Sequence, residues 1–336
     1  MSHRISFALA AALAVAVVVP ATATSADHPA APVVRVLNVT ALGGLGAGST
    51  IGPDGAVYVP NSQQGTLVRI DPMTGAERTV GTGLPLPNGG FGAWDAAFIG
   101  GTAYALVTLA GSDIGQDAVM GIYRLGKDGT FSVFADIGSW AIAHPPVDPD
   151  WFLPQGVQYS MEVWRDGFLV TDAHHAKVYR IDRHGRVSEL VAFPDTDVVP
   201  LGLEVSHGDI YLSTAGPIPH LPSTTKINEI HRDGSVEVVA GWGADYTGNR
   251  GLIVDVEAGR RGQLFGLLQG HWDLEPIDEN EGFPAAPNTG EIVAVDARGE
   301  FHTVVGELDQ PTSLEIVGHT AFVVTLTGTV LRIDGI

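Results

Sequence analysis

Three short segments, Met161-Glu162-Val163, Leu203-Glu204-Val205 and Leu314-Glu315-Ile316, each hold a glutamate between two large apolar residues. Alternation of this kind belongs to a strand with one face on a core, so the carboxylates point the opposite way. Val254-Asp255-Val256 repeats the pattern with an aspartate. Carboxylates brought together in a narrow space repel one another, take up protons at higher pH, or recruit a cation. Oxygen-only ligands suit Ca2+ or Mg2+. Glu162, Glu204, Asp255 and Glu315 are therefore candidate metal ligands, and a water-filled acidic channel without a specific ion is the plainer alternative.

Histidines supply a second set. His144, His174, His175, His220 and His271 all fall in segments that read as loops, near Asp172 and Asp273. Three imidazoles could bind Zn2+ or another transition metal, and a His beside an Asp can act as a general base. Their spacing matches no linear metal motif such as HExxH, and solvated loop histidines are the ordinary case. The same loops carry Trp140, Trp151, Phe152 and Trp272, which suits an ordered cap better than a disordered segment. Asp172, His174, His175, His144, Trp151, His220, His271 and Trp272 are the candidate ligand contacts. No catalytic residue is assigned. The chain has no cysteine and no GxSxG elbow, and GGLGAG (43–48) precedes a strand instead of opening a helix, so it fails the context of a phosphate-binding loop.

The elements that must position these residues repeat along the chain. A strand ending in an Ile-Asp-like pair recurs as LVRID (67–71), IYRLG (122–126), VYRID (178–182), NEIHR (228–232), IVAVD (292–296) and VLRID (330–334). After the first five come a glycine-bearing turn and a further strand. Upstream of each lies another strand, in which Tyr58, Tyr104, Leu169, Tyr211, Phe265 and Phe322 occupy equivalent points. Those rings read as packing between sheets, given the area such side chains bury. Four strands per repeat and no helix of any length predict an all-β fold, a six-bladed β-propeller with four-stranded antiparallel blades. The sixth repeat ends at Gly335-Ile336 without its fourth strand, while PVVRVLNVT (32–40) stands alone before the first. The N-terminal strand is thus expected to close the ring and remove an exposed sheet edge. One domain, 27–336, accounts for the whole pattern.

The blades resemble those of NHL-type and SMP-30/gluconolactonase-type propellers. STIGPDGAVYV (49–59), DAHHAKVYRIDRHGRVSELVAFP (172–194) and QPTSLEIVGHTAFVVTLTGTVLRID (310–334) resemble more closely the exported ScyD/ScyE propellers. That resemblance implies fold and export; the family has no generally established enzymatic activity. SMP-30-like lactonases hold a divalent metal in the channel with Glu, Asn and Asp, and no equivalent inner-strand Asn is present here. Blade 3 departs from the usual look, with QGVQYSMEVWRDG (155–167) in place of a plainer strand.

Residues 1–26 begin with Arg4, continue as an Ala/Val/Leu run and end in small residues. This is the layout of a secretory signal peptide, and the run is too short for a membrane span. The chain is therefore expected to be secreted or periplasmic, with no stable membrane anchor. Its 336 residues carry 18 Lys and Arg against 38 Asp and Glu, a formal charge of −20. That sign argues against nucleic acid as a partner. The expected partner is a small-molecule ligand, with catalysis not established. A metal-dependent lactonase-like hydrolase and a scaffold that binds another exported protein are the alternatives.

Overall fold

A computed structural model describes residues 31–39, 48–87, 91–110, 118–146, 153–193, 198–217, 220–243, 245–272 and 285–336. The 1–26 leader expected from the sequence, and Trp151, lie outside these. Six antiparallel four-stranded sheets follow one another along the chain. Each is the blade of a propeller, running from an inner strand on the axis to an outer strand at the rim. The inner strands are Thr50–Ile51, Gly92–Ile99, Gln158–Trp164, Val199–Ser206, Arg250–Ala258 and Pro311–Val317. In the sixth sheet the outer strand is Val33–Val39, paired with Thr329–Asp334 from Val33 opposite Asp334 to Val39 opposite Thr329. Ring closure by the N-terminal strand is thus as the missing sixth outer strand required.

Packing follows from position in the blade. Second strands such as Val57–Asn61 and Gly167–Asp172 are buried throughout, because neighbouring blades cover both faces. The apolar clusters lie mostly between successive blades. Tyr104 of blade 2 packs edge-on to Phe168 of blade 3 at 4.9 Å, and Phe322 of blade 6 joins Val57 and Val59 of blade 1. Of the repeated rings, Tyr58, Tyr104, Phe265 and Phe322 are core, as expected from their size, while Tyr211 is half-buried against the cluster between blades 4 and 5. One α-helix departs from the all-strand reading: Ile137–Ala143 makes two turns between blades 2 and 3, and single 3-10 turns occur at Pro222–Thr224 and Arg260–Gly262. Asp136 caps the α-helix by accepting from the Ser139 N–H, which satisfies a free donor of the first turn. Among the described residues no helix is long and apolar enough to cross a membrane.

Candidate functional site

Pairing between first and second strands fixes which inner-strand residues share a level. Glu162 lies opposite Leu169, Glu204 opposite Tyr211, and Glu315 opposite Phe322. In blade 5 the residue opposite Phe265 is Glu257, not Asp255. The assignment of Asp255 to the level of the glutamates is therefore corrected. A register shift between Ile253 and Asp255 places the aspartate two residues higher on the strand. Four of the six positions in the lower tier are glutamate: Glu162, Glu204, Glu257 and Glu315. The other two are Thr50 opposite Tyr58 and Ala97 opposite Tyr104.

Two residues up each strand, about 7 Å at the rise of a β-strand, lies a second tier. From blade 1 to blade 6 it reads Gly48, Asp95, Ser160, Gly202, Asp255, Ser313, so the order Gly, Asp, Ser occurs twice around the ring. Each Asp or Ser oxygen accepts a backbone N–H from the next blade. Asp95 Oδ2 takes Met161 N at 2.7 Å, and Ser160 Oγ takes Leu203 N at 3.3 Å. Asp255 Oδ2 takes Leu314 N at 2.8 Å, and Ser313 Oγ takes Ser49 N at 3.0 Å. Both aspartates use their other oxygen on their own strand, at Ala96 N and Val256 N. Glycine is required before each aspartate. A Cβ on Gly48 would lie 2.2 Å from Asp95 Oδ1, and one on Gly202 would lie 2.5 Å from Asp255 Cα.

The tiers enclose a cavity of about 20 Å3, room for about one water or ion, lined by five of these carboxylates, Asp95, Glu162, Asp255, Glu257 and Glu315, together with Tyr159 and by no Lys, Arg or His. Burial pushes every carboxyl group up. Glu162, Asp255, Glu257 and Glu315 are held well above their usual range by burial and by the charges of their neighbours. Burial also raises Asp95 and Glu204, each to about 7. Glu162 accepts Val163 N at 2.9 Å, whereas no donor among the described residues bonds to the carboxylates of Glu257 or Glu315. Such a set is chemically short of positive charge. It surrounds the axis without closing on a point. Among the described residues, the one trio of His or acidic groups within 4.8 Å of one another is Asp296, Glu300 and His302, at an exposed turn of blade 5. An ion among the channel glutamates would therefore be bridged in part by water, as Mg2+ and Ca2+ both tolerate.

On the face where second strands turn into third strands, the candidate ligand contacts divide into two groups. In blade 3, Asp172 is fully buried and surrounded by donors. It accepts Val157 N, His174 N and His175 N at 2.9 to 3.1 Å, Gln158 Nε2 at 3.2 Å and Tyr179 Oη–H at 2.8 Å. This occupies its lone pairs, so Asp172 builds the turn and cannot serve as a ligand contact. His175 is buried too and meets the Leu153 carbonyl at 3.3 Å. His174 is partly exposed, and burial lowers its pKa to about 4, which keeps it neutral. His144 is exposed and stacks on Trp140 at 4.0 Å, while Lys177 Nζ donates to its carbonyl at 2.9 Å. The second group is His220, His271 and Trp272, of blades 4 and 5. His220 meets Trp272 edge-on at 5.6 Å, and burial lowers its pKa. Trp272 is 5% exposed and belongs to the core. The five histidines thus do not form one metal centre.

No protein-family model matches the sequence, and no curated protein matches it at the sequence level. Solved structures do share the fold. The chain is similar to a gluconolactonase from Xanthomonas campestris, with a TM-score of 0.59 and 14% identity over 90% of this chain and 89% of that one. It is similar to virginiamycin B lyase from Staphylococcus aureus, at 0.57 and 13% over 91% and 100%. Aldose sugar dehydrogenase from Streptomyces coelicolor, in its PQQ-bound form, gives 0.56 and 13% over 91% and 99%. At these identities the likeness is one of fold alone.

Proposed function

We propose that this chain is an exported six-bladed propeller of the ScyD/ScyE kind that binds a small or medium-sized ligand on its loop-rich face, above a channel that holds Ca2+ or Mg2+. The observation that carries the reading is the channel itself, five carboxylates around one cavity with no cationic side chain in its lining. Glu162, Glu257 and Glu315 line the cavity and are the ligands, since both oxygens of Asp95 and Asp255 are committed to backbone N–H groups and Glu204 accepts those of Val205 and Ala258. A hard divalent cation suits an all-oxygen donor set and offsets its repulsion. The loop face contributes the exposed His144 and the partly exposed His174, His220 and His271. Elemental analysis of protein purified without chelator tests this. Near-stoichiometric Ca2+ or Mg2+, lost in Glu257→Gln, supports it; metal-free protein whose melting point EDTA leaves unchanged overturns it.

A lactonase-like hydrolysis is the second reading, favoured by Glu204, whose pKa of about 7 suits a group that exchanges protons near neutrality. Ring opening of a sugar lactone, followed by acid release with and without added Mg2+, separates the two readings. Turnover abolished in Glu204→Gln supports hydrolysis, and no turnover above the uncatalysed rate leaves binding alone.

A further inference from the structure

Blades 3 and 4 each begin their third strand with a lysine, Lys177 and Lys226, and pairing equates the positions around the two. Lys177 lies opposite Asp172 and Ala192, and Tyr179 opposite Glu189. Lys226 lies opposite Thr214 and Gly241, and Asn228 opposite Val238, with the same register shift between the third and fourth strands. Directly opposed residues share a face of the sheet. In both blades that face looks toward the preceding blade: Tyr179 packs with Ile122 of blade 2, and Leu212, opposite Asn228, packs with Val178 of blade 3. In blade 3 the chain fills the cleft itself. The helix Ile137–Ala143 sets Trp140 edge-on to Tyr179 at 5.2 Å, with Lys177 Nζ 5.8 Å from the indole centre. Glu189 pairs with Lys177 at 3.1 Å, the His144 carbonyl accepts from its Nζ at 2.9 Å, and the lysine is buried.

Among the described residues, blade 4 supplies neither the ring nor the carboxylate. Val238 stands where blade 3 has Glu189. Asn228 replaces Tyr179 and donates to Thr214 at 2.9 Å, as Tyr179 donates to Asp172 at 2.8 Å. Residues 193–198 join blade 3 to blade 4, where 137–157 join blade 2 to blade 3, and so short a stretch has no room for a helix and its return. What remains is an open cleft of about 810 Å3, lined by Phe193 and Val198 of that connection and by Asn228, Val236 and Val238 of blade 4. This volume falls in the range of small-molecule sites. Lys226 and Arg298 also line it. Among the described residues the lining holds no Asp, Glu or His, and neither cation forms an ion pair.

We infer that the cleft between blades 3 and 4 binds a small aromatic carboxylate, its ring in the place that Trp140 takes in blade 3 and its carboxylate in the place of Glu189. Lys226 then makes the charge-assisted bond that Lys177 makes within the chain. A cationic ligand would meet Lys226 and Arg298 with no acid among the described lining. Phosphate or sulfate alone would leave Phe193, Val198, Val236 and Val238 in water, whereas an aryl acid covers them. The cleft shares no residue with the channel cavity or with the histidines of the loop face, so the inference stands apart from the function proposed above.

The test is calorimetric titration of the purified protein with indoleacetate. One-to-one saturation is expected, weakened roughly tenfold in Lys226→Gln by the loss of a hydrogen bond to a charged group. Val238→Glu rebuilds the ion pair of blade 3 at an exposed position. It is expected to abolish binding, since the new carboxylate takes Lys226, while the melting point stays at the parent's value. Indoleacetamide, without the charge, and hexanoate, without the ring, should each bind roughly tenfold more weakly than indoleacetate. Absence of saturation with indoleacetate overturns the inference. So does equal binding of the amide or of hexanoate, or an affinity for indoleacetate that both variants leave unchanged.

Discussion

Asp95 and Asp255 stand at the same point of blades 2 and 5 and make the same two contacts. Each accepts the N–H of its own following residue and that of a residue in the next blade, Met161 at 2.7 Å and Leu314 at 2.8 Å. Each also follows a blade whose matching position is glycine. The channel wall is thereby stitched from blade to blade by side chains, of which Asp255 is one that the sequence alone presents as an ion ligand.

Removing a stitch should destabilise the ring. Asp255→Ala leaves the Leu314 and Val256 N–H groups without their acceptor, at a cost of about 1–3 kcal/mol. Urea unfolding measures it; an unchanged or higher midpoint would show that relief of carboxylate repulsion outweighs the bonds.

Gly202→Ala should cost about as much by a different route. Its Cβ would come within 2.5 Å of the Asp255 backbone, and overpacking of this kind costs about 1–3 kcal/mol. A variant as stable as the parent would mean that the inner strands of blades 4 and 5 can move apart.

Stability should fall as pH rises through neutrality. Asp95 and Glu204 have folded pKa values of about 7, above the value of about 4 expected in an unfolded chain. The folded state therefore binds more protons between these limits, and the associated stability is lost as pH rises through about 7. His174, held at about 4, works the other way but only below about pH 6.5. Melting points of metal-free protein at about pH 6.5 and about pH 8 check this, the latter being lower. Glu204→Gln should flatten the decline, and a melting point that climbs over this interval contradicts the assignment.

Trp272→Ala should destabilise the fold before it informs on ligands. A buried Trp lost from a core costs about 3–5 kcal/mol. Circular dichroism melts detect that loss, and His220→Ala is the better probe of the face. A Trp272→Ala protein with the parent's melting point would return Trp272 to the list of pure ligand contacts.

Blade count, ring closure and the role of the repeated aromatics were legible because each depends on period and apolar alternation. The glutamates at 162, 204 and 315 were legible for the same reason. Glu257 was not. Val254-Asp255-Val256 imitates the apolar-acid-apolar triplet, and the shift at Ile253 moves the pairing without changing the pattern; counting back from Phe265 would have located it. The helix 137–143 is too short to show a period, and only Asp136 as its cap announced it. Asp172 read as a candidate ligand contact beside His174 and His175, yet it lies at the position of Asn61 in blade 1, where the side chain likewise accepts a turn N–H.

The central claim is that the lower tier of glutamates holds a divalent cation. Calorimetric titration of Ca2+ and Mg2+ into chelator-treated protein tests it most directly. The account predicts saturable binding of one ion per chain, weakened at least tenfold in both Glu257→Gln and Glu315→Gln, a loss of about 1.4 kcal/mol or more. Binding that is absent, or that survives both substitutions, would contradict it.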